Sequence, residues 1–241
     1  MLSNEDICRY ERNIIVPEIG QAGQERLRGA RIMVIGAGGL GSAVLLYLTA
    51  AGVGQIAIYD GDTVSLSNLQ RQIIHSEDRL QVNKAQSAGQ TLQVLNSHTQ
   101  LEVHGENFDP AGCYGNYDGV VVCTDNFESR LEVNRWAVAR EIPTFHAGVK
   151  EWFGHVFTFV PGIGPCFECL FADAEGFSMP SGVVGPVVGV MGCLQSVEVI
   201  KYLIGSRDLL TDKILYCDLL RMQFDLIPVK SNPDCRVCGK R

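Results

Sequence analysis

The sequence predicts an α/β fold built on a doubly wound, mainly parallel sheet that antiparallel strands continue. Three observations lead there. The run Arg31-Ile-Met-Val-Ile-Gly-Ala-Gly-Gly-Leu-Gly41 reads as a buried strand, a glycine turn and the start of a helix. Tyr59-Asp60 then puts an acidic residue at the tip of the next strand, 24 residues after Gly36. Finally, strand-like and helix-like segments alternate through about residue 147, the pattern of a parallel sheet covered on both faces. This order of elements is Rossmann-like: it sets backbone N–H groups against a phosphate and a carboxylate against a ribose.

Each element follows from local pattern. Residues 4 to 29 carry apolar and charged positions at mixed helical spacing, broken at Pro17 and Gly20. Residues 31 to 35 form a strand, 38 to 51 a helix rich in Leu and Ala, and 55 to 60 the next strand. A polar loop runs from Thr63 to Arg71. Residues 83 to 95 and 127 to 140 are helical; 100 to 104, 118 to 123 and 142 to 147 are strands. These make a nucleotide-binding half of about residues 30–147. The remainder, about 148–241, begins with a β-rich run at 155 to 160 closed by Pro161-Gly162. An irregular segment from Ala172 to Pro186 and an apolar helix over 187 to 204 follow. Two strands, 213 to 218 and 222 to 227, are expected to extend the same sheet in antiparallel fashion. The run Gly182-Val-Val-Gly-Pro-Val-Val-Gly189 reads as loose, either packing or a mobile segment near the site.

Composition bounds the function. The chain has 241 residues, 46% hydrophobic and 20% charged, with length enough for a full core. A net charge of -7 argues against nucleic acid or an anionic membrane as the main partner. The acidic opening Met1-Leu-Ser-Asn-Glu-Asp is no secretion signal, and no apolar run is read as a membrane span, so a cytoplasmic location is expected. Nine cysteines, an odd number in a chain of this size, do not suggest a disulfide framework. Most of Cys8, Cys113, Cys123, Cys193 and Cys217 sit in apolar surroundings and read as core fillers. The five histidines are dispersed and form no metal or acid–base cluster; Trp136 reads as core.

Four constellations carry chemistry. In the glycine turn, Gly36 permits the tight bend, Gly38 and Gly39 lie where the backbone approaches phosphate, and Gly41 allows close helix–strand packing. With Asp60 as the ribose ligand, this fits NAD and ATP equally well. Asn68, Arg71 and Lys84 follow, and Arg12 stands in Arg9-Tyr-Glu-Arg12. Each alone is an ordinary surface charge. Together the downstream cations suit a triphosphate, because a departing pyrophosphate develops charge that cations must hold. Asp125 in Cys123-Thr-Asp-Asn126 closes an apolar strand, where it either holds magnesium against phosphates or serves, with Thr124 and Asn126, in capping the next helix. The pairs Cys166/Cys169 and Cys235/Cys238 supply four thiolates suited to structural zinc, the rival readings being a redox dithiol or plain thiols.

The ordered set resembles the ThiF/MoeB/HesA adenylyltransferases, bacterial relatives of ubiquitin-activating enzymes. It comprises Gly-Ala-Gly-Gly-Leu-Gly, the run from Asp60 through Ser-Asn-Leu-Gln-Arg-Gln, then Lys84, Cys-Thr-Asp-Asn and the paired Cys-x-x-Cys units, from Arg9 to Cys238. The resemblance implies one ubiquitin-activating-like adenylation domain over residues 1–241. It implies an ATP-dependent adenylyltransferase acting on the C-terminal glycine carboxylate of a small ubiquitin-like sulfur carrier, with release of pyrophosphate. By motif, Gly38 and Gly41 line the phosphate loop, Asp60 binds ribose, and Asn68, Arg71 and Lys84 contact phosphates. Asp125 holds magnesium, Cys166, Cys169, Cys235 and Cys238 bind zinc, and Arg12 reaches the other subunit's site in a homodimer. One departure stands out. Ser178 occupies the place where many relatives carry a crossover-loop cysteine, so sulfur is expected from a separate donor protein. The run from Gly182 to Gly192 leans toward the thiamine branch over the molybdopterin branch. Two other functions compete: an NAD-dependent oxidoreductase, for which no hydride-transfer residues are evident, and a non-catalytic ATP- and zinc-binding scaffold.

Overall fold

The computed structural model describes residues 2–113, 115–171 and 182–239. Three helices, α1 (Asn4–Arg9), α2 (Glu11–Ile14) and α3 (Gly20–Gly29), precede the first strand. The sheet then alternates with helices: β1 (Arg31–Ile35), α4 (Gly39–Ala50), β2 (Gln55–Tyr59), α5 (Lys84–Leu95), β3 (Gln100–His104), β4 (Gly119–Val122), α6 (Phe127–Ala139) and β5 (Thr144–Lys150). The second part holds β6 (Phe153–Phe159), α7 (Phe167–Phe171), α8 (Gly185–Leu203), β7 (Lys213–Asp218) and β8 (Gln223–Pro228). All eight strands make one sheet in the order β3-β2-β1-β4-β5-β6-β7-β8. The first five are parallel and the last three antiparallel. The strand pattern read from the sequence is therefore the strand pattern observed.

Alternation along the strands builds two cores. Ile32, Val34, Ile56, Ile58 and Val121 face one side and pack with Leu45 and Leu48 of α4, Leu92 of α5 and Met191 of α8. Met33, Ile35, Ala57, Val120 and Val122 face the other and meet Val133 and Trp136 of α6. Phe145 on β5 is wholly buried and lies edge-on to Tyr202, with ring centroids 5.8 Å apart.

The structure corrects two expectations and bears out that most of the scattered cysteines are core. The Gly182–Gly189 run is not loose: α8 begins at Gly185, with Pro186 in its first turn, where the missing N–H of proline costs nothing. Within the 19 residues of α8 an 18-residue stretch has a mean hydropathy of 1.2, so by length and composition one helix among the described residues does reach the size of a membrane span. It packs instead on α4, β5 and β6, and carries the buried Glu198 paired to Lys201 at 2.6 Å. Among the scattered cysteines, Cys113, Cys123 and Cys217 are core, but Cys8 is exposed and Cys193 half-buried. Ser178, read from the sequence as standing at the crossover position, lies outside the described residues.

Substituting Phe145→Ala removes the largest side chain sealing β5 to α8. It is expected to lower folding stability by about 3–5 kcal/mol in chemical denaturation. A loss under about 1 kcal/mol would contradict this packing.

Candidate functional site

The strand order reverses between β1 and β4, since the chain leaves β1 toward β2 and β3 on one side and returns to β4 and β5 on the other. Ligands of open α/β sheets gather at this switch point, beyond the carboxyl ends of the strands. Here the ends of β1 and β4 nearly touch. A Cβ on Gly36 (φ +99°) would lie 2.8 Å from the Cys123 carbonyl oxygen, and one on Gly41 only 2.0 Å from the carbonyl oxygen of Gly36. Only glycine allows α4 to start this close to the turn. Gly38 is the N-cap of α4 and no side chain caps it, so the helix presents first-turn N–H groups and its positive dipole end to whatever lies above.

Asp60 braces this turn. One carboxylate oxygen accepts from the Ala37 N–H at 2.7 Å, and the other from the Asp62 N–H at 2.9 Å. Burial raises its pKa, against the opposing pull of those two N–H groups and the Lys84 charge. A carboxylate offers about four acceptor sites, so Asp60 retains capacity for hydroxyl donors. Lys84 opens α5, is 7% exposed, and gives its ammonium to Asp62 at 2.9 Å. The Arg71 side chain lies over Gly39, within 3.5 Å of where a Cβ would be, and its guanidinium donates to the Ser67 carbonyl at 3.2 Å. Asn68 sits in the short turn Leu66–Asn68, its side chain accepting from the Ser65 N–H at 3.3 Å. A cleft of about 200 Å³ opens between Gly39, Gln70, Arg71 and the start of α8 at Gly185 and Pro186.

Asp125 follows β4 and is exposed. The capping alternative goes elsewhere: Asn126 is the N-cap of α6 and accepts from the Ser129 N–H at 2.7 Å, while Asp125 makes no hydrogen bond with a described residue. Arg12 stands apart from all of these. It is exposed on α2, whose neighbour Tyr10 packs on Gly52 and receives the Asn96 amide at 2.8 Å, beyond the far end of α4. The 12 residues of α4 span ~18 Å, so within one chain Arg12 lies near the opposite end of the strands from the glycine turn.

The four paired cysteines converge. Their sulfurs all lie within 4.8 Å of one another, with Cys166–Cys169 at 3.9 Å, Cys166–Cys235 at 3.8 Å and Cys169–Cys238 at 3.2 Å. A tetrahedral ion with ~2.3 Å bonds to sulfur needs S···S edges of ~3.8 Å, so the donor set fits a metal such as zinc. Asn134 of α6 donates to the Cys166 sulfur at 3.6 Å and accepts from the Phe167 N–H at 3.0 Å, a brace of the kind that orients ligands.

Sequence reading missed three residues of the switch point. His75 is buried and bridges the Ala37 carbonyl and the Ser87 hydroxyl, each at 2.9 Å, and burial lowers its pKa. Gln72 is buried beside Gly38, and Asp62 holds Lys84. Their signal was adjacency alone: Gln72 and His75 follow Arg71 in the same run, and Asp62 follows Asp60.

A glycine turn at a topological switch point, with a carboxylate at the tip of the second strand bracing it, defines a nucleotide-binding class of fold. The chain belongs to the ThiF family, whose match covers residues 10–237, and its enzyme class is adenylyltransferase. It is 38% identical to the "SAMP-activating enzyme E1" of Haloferax volcanii over 99% of this chain and 91% of that one. It is 36% identical to the "Molybdopterin-synthase adenylyltransferase" of Escherichia coli K12, over 99% of both. With the Bos taurus "Adenylyltransferase and sulfurtransferase MOCS3" it shares 37% identity but spans only 55% of that protein. Among solved structures, Escherichia coli MccB with ATP superposes with a TM-score of 0.87 at 25% identity, covering 96% of this chain and 73% of that one.

His75 gives a pH dependence. Its folded pKa lies below the ordinary value near 6.5, so below that pH the unfolded chain takes up a proton that the folded chain resists. Stability is full above pH 6.5 and declines as pH falls toward the folded value. Denaturation midpoints at pH 7 and pH 5 are expected to differ less in His75→Gln than in the parent chain.

Proposed function

We propose that this chain binds ATP on the Gly36–Gly41 turn and adenylates the C-terminal glycine carboxylate of a small ubiquitin-like sulfur carrier ending in Gly-Gly. The supporting observation is the assembly at one switch point of an uncapped helix start, Asp60, the Lys84–Asp62 pair, Arg71 and the unbonded Asp125. The names of relatives support the reaction class, and the MccB structure with ATP supports the nucleotide.

The chemistry follows from charge. The carrier's carboxylate oxygen forms a bond to the α-phosphorus, the bond to the bridging oxygen of the β-phosphate breaks, and pyrophosphate leaves with both electrons. Negative charge grows on the leaving group, and Arg71 and Lys84 stand where cations stabilise it. Asp62 keeps the Lys84 ammonium at the site until phosphate takes its place. Asp60 receives ribose hydroxyls while holding the turn through Ala37. Asn68 lines the phosphates, and Asp125 carries magnesium, which neutralises phosphate oxygens when bound. Arg12 serves the site of a second copy, because its own chain keeps it near the amino ends of the strands; a homodimer follows. Cys166, Cys169, Cys235 and Cys238 hold zinc in a structural role, since four sulfurs leave no open coordination position. A separate protein supplies sulfur to the acyl-adenylate, and the carrier belongs to thiamine thiazole synthesis, molybdopterin synthesis or another sulfur transfer.

ATP–pyrophosphate exchange in the presence of a Gly-Gly carrier is the direct test. Lys84→Ala and Arg71→Ala are each expected to lower exchange about 100-fold or more. Asp125→Ala is expected to abolish exchange, and exchange that survives it would contradict the magnesium role. Tight NAD binding with indifference to ATP would overturn the proposal, and ATP binding without exchange across several carriers would favour a scaffold. For the metal, elemental analysis is expected to give one zinc per chain. Cys169→Ser should lower both zinc content and thermal stability, and a metal-free protein of unchanged stability would rule zinc out.

A further inference from the structure

One buried side chain at the switch point is left without a partner. Gln72 is 4% exposed, and its Oε1 atom is shielded from solvent and accepts no hydrogen bond. Its Nε2 atom also donates to no described residue; it is directed at Gly38, 3.4 Å from where a Cβ on that glycine would be. Among the described residues beyond its own chain neighbours, only Gln72 approaches within 4 Å of that position. The space over the N-cap of α4 is thus bordered by the uncapped helix start and by one carboxamide.

Oε1 is thus an unsatisfied buried acceptor that no anion can complete, while Nε2 is a donor without a described partner, facing the uncapped helix start, and a donor so placed is what a ligand acceptor can engage. The neighbours indicate which ligand. The first-turn N–H groups of α4 are donors with positive potential, and Arg71 and Lys84 add charge, so the group that sits over Gly38 is an anion. An anion needs donors, and Nε2 is one. Local backbone geometry does not account for the amide either: the Gln72 N–H is already satisfied by the Asn68 carbonyl at 3.0 Å, so the side chain is not needed to close the turn.

We propose that the Gln72 carboxamide is a phosphate-contacting group, its Nε2 donating to a phosphoryl oxygen of the nucleotide seated on Gly38. This rests on the assignment of ATP to the glycine turn. Gln72 is neutral, so it contributes direction where Arg71 and Lys84 contribute charge. It fixes the phosphoryl group relative to the turn.

The test compares the parent chain with Gln72→Met, which keeps volume and removes hydrogen bonding, and Gln72→Glu, which keeps shape and adds negative charge. Binding of the non-hydrolysable analogue AMPCPP and of adenosine, which has no phosphate, is measured by calorimetry or competition. Gln72→Met is expected to bind AMPCPP about tenfold more weakly, Gln72→Glu more weakly still, and both to bind adenosine as the parent does. Melting temperatures report folding: Gln72→Met should match or exceed the parent, because it removes an unsatisfied buried group. Equal losses for AMPCPP and adenosine would overturn the proposal in favour of a general packing role. So would unchanged AMPCPP affinity in a folded variant. If Gln72→Met does not fold, Gln72→Glu with the same ligand pair decides. A parent chain that binds neither AMPCPP nor ATP would instead overturn the nucleotide assignment itself, which separates the two failures.

Discussion

The molecule depends on one close approach. α4 begins against the carbonyl of Gly36, and Gly36 itself lies against the carbonyl of Cys123, contacts in which a single added Cβ at Gly36 or Gly41 would collide with backbone. Because of this, β1, β4 and α4 meet almost at a point. The helix dipole, the end of the second strand with Asp60, and the Thr124–Asp125 turn then crowd around the same small volume. The switch-point residues are arranged around that meeting, while the four-sulfur cluster and Arg12 stand apart from it. His75 clamps the turn from below through Ala37, Asp60 holds the same residue through its N–H, and Arg130 fixes the opposite wall by donating twice to the Thr124 carbonyl, at 3.0 and 2.7 Å.

Much of this was legible in the sequence, for a physical reason. The strands are apolar and short, the glycines are punctuation, and the acidic residue follows at a fixed distance, so each element is encoded within a dozen neighbouring residues. β1 and β7 have the bounds that their apolar runs suggest, and most other elements end within two residues of expectation. What was not legible depends on contacts between distant segments. The start of α8 looked loose because Gly, Val and Pro carry no helical signal of their own. It is helical because Gly185 and Val188 fit against Gln70 and Gly39. Gln72 and His75 were invisible as site residues for the same reason, since their roles come from facing Ala37 and Gly38, more than 30 positions away.

The cysteine pairs show the intermediate case. Their spacing announced a four-sulfur donor set, but only the fold brings the first pair, at the start of α7, to the second, past the end of β8. The brace from Asn134 on α6 could not be read at all, because nothing in Asn134-Arg-Trp-Ala-Val distinguishes a ligand-orienting amide from a surface one. Arg12 is the reverse: its motif was readable, while its place toward the amino ends of the strands is a property of packing by Tyr10 and Asn13.

α8 links these regions mechanically. Midway along it, the Gln195 amide donates to the carbonyls of Val122 and Phe145, at 3.1 and 2.8 Å, so the helix is pinned to the ends of two strands. One turn earlier Gly192 abuts the Leu40 carbonyl, and the N-terminal turn touches Gly39 through Val188. The helix therefore has no freedom to rotate or slide alone. A displacement of its leading end would press on Gly39 and the glycine turn, which makes α8 a crankshaft between the second half of the polypeptide and the first.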